Sequence, residues 1–235
     1  MFVVQTLGSA CFSVPFGRDS AWLVVGGRGY MVVEKPETAE LLRRIGTGDQ
    51  QALGQLLGQH RARLKRMVGV RMDPRLKGRV DPSDVVQEVF MAASQNIEQF
   101  MHGRPLPFYP WLRQLAWNKL VDLHRKHVQA QKRSLNQEDP WISALSDESA
   151  MHLADRLASS GTSASGKMLR REIRDRVRQA LGALSPRDRE VLVLRHLEEL
   201  SISEIASILG LSEEATKKRQ LRALERLQNQ LGSNT

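Results

Sequence analysis

Three helix starts follow one another near the C-terminus, so closely that only short helices joined by tight turns can satisfy them. Ser185 can accept from the exposed amides of a new helix, Pro186 suits the first position because it has no N–H to leave unpaired, and Asp188 adds negative charge to the first turn. Ser201 with Glu204 forms a capping box, and Ile202, Ile205, Ala206, Ile208 and Leu209 then give a short helix its apolar face. Gly210 supplies the left-handed residue that ends this helix, Leu211 packs under the turn, and Ser212 caps the next helix with Glu213 and Glu214 at its positive end. A short helix, a glycine turn and a longer helix describe a helix-turn-helix.

The second helix of that pair is basic after its first turn, with Lys217, Lys218, Arg219, Arg222 and Arg226, while Ala215, Leu221, Ala223, Leu224 and Leu227 are available for packing. A run of cations on a helix is usually a solvated face. Here the capped turn in front of it favours a helix that enters the DNA major groove, so Lys217, Lys218, Arg219 and Arg222 are DNA-binding candidates. The whole chain agrees: among 235 residues, 35 Lys and Arg stand against 26 Asp and Glu, a net charge of +9 that asks for a polyanionic partner.

Upstream, Asp81 and Pro82 open a helix in which Val85, Val86, Val89, Phe90 and Ala93 form an apolar face and Asp84, Gln87 and Glu88 lie opposite. Asp81, Asp84 and Glu88 could be read as a metal or acid–base cluster, but no second carboxylate or histidine group stands in a ligand pattern with them. His124 and His127 sit amid Arg125 and Lys126, whose charge disfavours a metal cation. Next comes a Pro- and Gly-containing loop and a helix that combines Phe108, Tyr109, Trp111 and Trp117 with Arg113, Lys119, Arg125 and Lys126. Aromatic faces stack on unpaired bases, worth about 1–3 kcal/mol each, and the cations neutralise phosphate, which is suitable chemistry for an opened DNA strand. The competing reading puts these aromatics in the core, and Trp111, Leu112, Leu115 and Leu120 at helical spacing belong there in part.

These two blocks resemble the bacterial RNA polymerase sigma factors, specifically the small extracytoplasmic-function group. Leu184, Ser185, Pro186, Arg189 and Glu190, then Ser201, Glu204, Ile205, Ala206, Leu209, Gly210, Leu211 and Ser212, and then Lys217, Arg219, Arg222 and Ala223 match the promoter-binding fourth region. Thr216 and Gln220 depart from it where an aliphatic residue is usual, and Leu221 stands where a polar one is common. Asp84, Val86, Gln87, Glu88, Val89 and Phe90 match the polymerase-clamp helix of the second region, and Phe108, Trp111, Leu112, Ala116, Asn118 and Asp122 match its strand-opening part. The resemblance implies that Asp84, Gln87 and Glu88 bind polymerase and that Trp111, Arg113, Trp117, Asn118, Lys119, Arg125 and Lys126 bind the opened promoter.

The expected fold is all-α, with two small helical domains joined by an acidic linker. Its divisions are an extension at 1–34, a region-2-like domain at 35–133, a linker at 134–166 carrying Glu138, Asp139, Trp141, Asp147, Glu148 and Asp155, and a helix-turn-helix domain at 167–235. The extension is apolar and Gly-rich without a sustained period, and Met31 is an alternative start. The single cysteine, Cys11, rules out an internal disulfide or a thiolate zinc site, and no run approaches the roughly 20 apolar residues of a membrane span. With no GxxxxGK loop, no activated nucleophile and no metal constellation, the expectation is a non-enzymatic, cofactor-free cytoplasmic protein associated with the nucleoid. Its expected partners are core RNA polymerase and promoter DNA. An anti-sigma factor is a further partner that the sequence neither requires nor excludes, and the alternative reading is a helix-turn-helix regulator that binds operator DNA without polymerase.

Overall fold

The computed structural model describes residues 13–16, 21–25, 31–72, 76, 78–103, 106–127, 175–177 and 179–232. The acidic linker with its Trp141 lies outside the described residues. In the extension the backbone forms three strands, β1 (Ser13–Phe16), β2 (Ala21–Val25) and β3 (Met31–Val33), paired antiparallel in the order β1-β2-β3. Ser13 pairs with Val24 and Phe16 with Ala21, then Leu23 with Val33 and Val25 with Met31. This sheet lies ahead of the two helical domains, within the extension that shows no sustained period. Strands of four, five and three residues are too short to display a two-residue period, and Pro15 is tolerated because β1 is an edge strand.

The helices follow the caps. α1 (Pro36–Gly46) begins with a proline in its first turn, and α2 (Gln50–Arg71) begins at Asp49, whose carboxylate accepts from the amides of Gln51 and Ala52. Gly48 between them has φ +90°, a conformation that suits glycine. α3 (Pro82–Gly103) and α4 (Phe108–His127) complete the first domain. Its core joins Leu42, Leu56, Leu64, Met67, Val86, Phe108 and Leu112, none more than 1% exposed. Phe100 stacks on Trp111 with centroids 4.5 Å apart and meets Phe108 edge-on at 5.7 Å. Glu34, just after β3, turns its buried carboxylate to the start of α4 and accepts from the Phe108 amide, which would otherwise be an unpaired helix-start donor.

In the second domain, helical residues 175–177 and 179–183 precede α5 (Pro186–His196), α6 (Ile202–Leu209) and α7 (Glu213–Gly232). Val177, Leu181, Leu192, Val193, Ala223 and Leu227 form its core. A third apolar cluster crosses between the domains, with Tyr109 from α4 packed among Leu194, Leu200 and Ile205. The two domains are therefore in direct contact, which tethering through a linker would not by itself require.

Candidate nucleic-acid and polymerase interfaces

The helix-turn-helix forms as its capping residues dictate. Ser185 accepts from the Asp188 amide, and Ser201 and Glu204 make the full reciprocal capping box. Gly210 closes α6 at φ +64°, and the Ser212 hydroxyl accepts from the Ala215 amide to open α7. Thr216, one of the departures noted above, is fully buried, and its hydroxyl donates to the Ser212 carbonyl at 2.9 Å. A polar residue thus takes the place of an aliphatic one without leaving a buried donor unpaired.

Thr216, Ala223 and Leu227 fix the inner stripe of α7. At about 100° per residue, Lys218 then lies opposite the core, Arg219 and Arg222 flank one edge, and Lys217 and Leu221 flank the other. Lys217, Lys218 and Arg222 are exposed and Arg219 is half-buried. Lys218 pairs with Glu214 at 2.6 Å one turn earlier, while Arg226 turns back to Asp188 and ties α7 to α5. Two packing expectations are corrected here. Leu221 is 58% exposed and Ala215 is exposed as well, because both lie off the buried stripe.

On α3, Val85, Val86, Val89 and Ala93 are buried and Asp84, Gln87 and Glu88 are exposed, as the amphipathic pattern predicts. Met91, 60% exposed, falls in the middle of the same outward stripe. Sequence reasoning passed over it because a methionine on an otherwise apolar helix reads as core. Glu88 forms an ion pair with Lys119 of α4, so one candidate polymerase residue touches one candidate DNA residue.

The candidates on α4 divide. Asn118, Arg125 and Lys126 are exposed, and Trp117 and Lys119 are half-buried. Trp111, at 9% exposure and stacked on Phe100, lies in the core and offers no face to a base in this conformation. Its place on the inner side of α4, beside the fully buried Leu112 and Ala116, is the reason. Arg113 is also buried, at 6% exposure, but by the other domain: its guanidinium donates to both oxygens of Glu198, at 2.6 and 2.9 Å. Arg71, which local sequence did not single out, joins it. Arg71 donates to Glu198 at 2.7 Å and makes a two-pronged pair with Glu190 at 2.8 Å for each bond, with its side chain 4% exposed.

Burial alone would push the Glu198 carboxyl up, but the guanidiniums of Arg113 and Arg71 override it and hold the group below the usual carboxylate range. Burial likewise disfavours the charge on Arg71, and the carboxylates of Glu190 and Glu198 more than restore it. The Trp117 ring lies against both arginines, 5.5 Å from the Arg71 guanidinium carbon and 5.7 Å from that of Arg113. At the rim of this contact, Arg63 pairs with Glu204 at 3.0 Å and lies 3.8 Å over the Tyr109 ring, and Arg66 pairs with Glu199. No group of three or more His, Cys, Asp or Glu able to hold a metal ion occurs among the described residues.

A helical domain with an outward polar and Met-containing stripe, followed by a capped helix-turn-helix with a basic outer helix, defines a two-domain DNA-binding protein. Residues 56–129 match the Sigma-70 region 2 family and residues 180–229 match Sigma-70, region 4. The chain is 31% identical over 197 residues to the RNA polymerase sigma factor CnrH of Cupriavidus metallidurans, a match that spans 82% of this chain and 94% of that protein. It is 25% identical over 192 residues to the ECF RNA polymerase sigma factor SigW of Bacillus subtilis, spanning 81% and 94%. Against the ECF RNA polymerase sigma-E factor of Escherichia coli it is 28% identical over 192 residues, spanning 81% and 92%. A solved structure of CnrH in complex with the cytosolic domain of CnrY aligns over 85% of this chain and 99% of that one, at 26% identity and a TM-score of 0.47. The chain belongs to the RNA polymerase sigma factor family, in its extracytoplasmic-function group. Its function is that of a sigma factor, which binds core RNA polymerase and directs promoter-specific initiation, and the stand-alone operator-binding reading is not favoured.

Proposed function

We propose that the surfaces divide this work as follows. Asp84, Gln87, Glu88 and Met91 on α3 dock on core polymerase, the outer face of α7 reads the upstream promoter element, and α4 handles the opened strand through Trp117, Asn118, Lys119, Arg125 and Lys126, joined by Arg113 once it is uncovered. The observation that carries this reading is the separation of the exposed stripes of α3 and α7 from both cores. Each is free to meet a macromolecule without repacking the fold. An exposed methionine amid polar groups suits a protein partner, because its flexible apolar side chain adapts to a surface. Cations on α7 suit DNA.

The chain supplies binding and positioning, the polymerase supplies the chemistry, and no activity of its own is assigned to this chain. A cytoplasmic, nucleoid-associated location accords with that work, and an anti-sigma factor is a partner to seek by copurification. Reconstitution with core polymerase tests the assignment directly. Gln87→Ala with Glu88→Ala should weaken polymerase binding in a titration while helical content stays unchanged, since both side chains are exposed. Unaltered affinity would remove α3 from the docking surface.

A further inference from the structure

We propose that Arg71 and Arg113 form a latent site for the phosphate backbone of an opened promoter strand, and that Glu198 and Glu190 of the helix-turn-helix domain occupy it in the closed conformation. A carboxylate presents paired oxygens to a guanidinium fork much as a phosphate does, so either can satisfy the same arginines. The Glu198 side chain is fully buried and engages both guanidiniums, while Glu190 fills the remaining prongs of Arg71. Trp117 stands half-buried beside both arginines, which places a stacking platform for a base next to two phosphate-binding groups. Asn118, Arg125 and Lys126 continue along the same helix in the exposed state.

The turn that delivers the acids is built for this contact. Glu199 sits at φ +58°, a left-handed conformation that a non-glycine residue holds only when its surroundings determine it. In that conformation Glu198 reaches Arg71 and Arg113 while Glu199 reaches Arg66, so both carboxylates meet the first domain. Meanwhile the outward stripe of α3 and Lys217, Lys218 and Arg222 on α7 stay exposed. Closure therefore covers Arg71 and Arg113 selectively. Polymerase docking and duplex contact remain open to the closed chain, and parting the domains is what releases the strand-binding arginines.

This inference rests on the proposed role of α4, and the test separates the two. A fluorescein-labelled oligo(dT) strand serves as the probe for the full-length chain, with anisotropy measured across a salt series. Glu190→Gln with Glu198→Gln should bind it at least tenfold more tightly, with a salt slope steeper by about 1.4, the value for two further phosphate contacts on a single strand. Adding Arg71→Ala and Arg113→Ala should remove the gain. Arg66→Glu provides an independent opening, because it repels Glu199 at the rim without leaving a buried charge unpaired, and it decides the matter alone if the glutamine variant loses its helical signal. It too should tighten binding, although it makes the chain more negative. No gain in either folded variant overturns the proposal. Run-off transcription by the parent chain with core polymerase is measured in parallel. If transcription stands while strand affinity is unchanged, only the masking falls; if transcription itself fails, the division of surfaces proposed above falls with it.

Discussion

His60 lies on α2 with its ring tilted against Phe108 and Tyr109, at centroid distances of 5.5 and 5.3 Å. Neither ring nitrogen has a hydrogen-bond partner among the described residues, and burial, followed by the charge of Arg63, lowers its pKa from 6.5 to about 4. Between those values the unfolded chain takes up a proton that the folded chain refuses, so stability present above pH 6.5 is lost as the pH falls toward 4, by at most about 1.4 kcal/mol per pH unit. His60→Phe should flatten the denaturation midpoint across that window, and an unchanged slope would remove His60 as the cause. Glu198 adds its own loss from about pH 4.5 downward, where the unfolded carboxyl takes up a proton that the folded one refuses. Tyr109 offers a second test at this scale. Its hydroxyl is buried without a partner among the described residues, so Tyr109→Phe should stabilise the protein by about 1 kcal/mol in urea titration while keeping the ring under Arg63.

Among the elements, the helix-turn-helix was the most legible. Its caps are local: Ser201, Glu204, Gly210 and Ser212 act on amides and backbone angles within a turn of themselves, and the structure realises each. At Gly210 an added Cβ would meet nothing within 4 Å, so Gly210→Ala should cost only the backbone penalty of about 1–2 kcal/mol. A larger loss of thermal stability would reveal a packing role. Orientation of α7 was harder to read, because Leu221 is apolar yet exposed and Thr216 is polar yet buried. The observed stripe places Arg219 and Arg222 on one edge. Substituting either with Ala should relax promoter preference by about 1–3 kcal/mol at particular positions, whereas Lys217→Ala should weaken all sequences alike and flatten the salt dependence. A promoter-variant binding screen checks this, and unchanged preference in both arginine variants would reassign the reading face toward Lys218 and Leu221.

For the whole molecule, the contact between domains sets the stakes. Arg113→Ala would leave Glu198 with one fewer guanidinium in a buried place, at a cost of about 3–5 kcal/mol if the domains stayed together. Parting them is the cheaper response, so this variant should show a larger radius of gyration in solution scattering with little loss of helix. Persistent compactness would mean that the apolar cluster around Tyr109 holds the domains without the charges. A chain beginning at Met31 keeps Glu34 and its bond to the start of α4, and should support transcription as well as the full-length form. Loss of activity on that truncation would assign the extension a function.

The sequence by itself determined the helices, their caps, the inward face of α3, the order of the two domains and the family to which they belong, because each follows from residues a turn or two apart or from motifs in a fixed order. It did not determine which side chains the closed molecule hides. Trp111 and Trp117 share one helix and the same chemistry, yet one is packed on Phe100 and the other borders two arginines. Arg71 and Arg113 meet Glu198 across 127 and 85 positions of chain. No period or cap reaches that far. Only the packing of one domain on the other could decide that these cations face a carboxylate, since burial and pairing depend on what the fold brings within a few ångströms, whatever the distance along the chain.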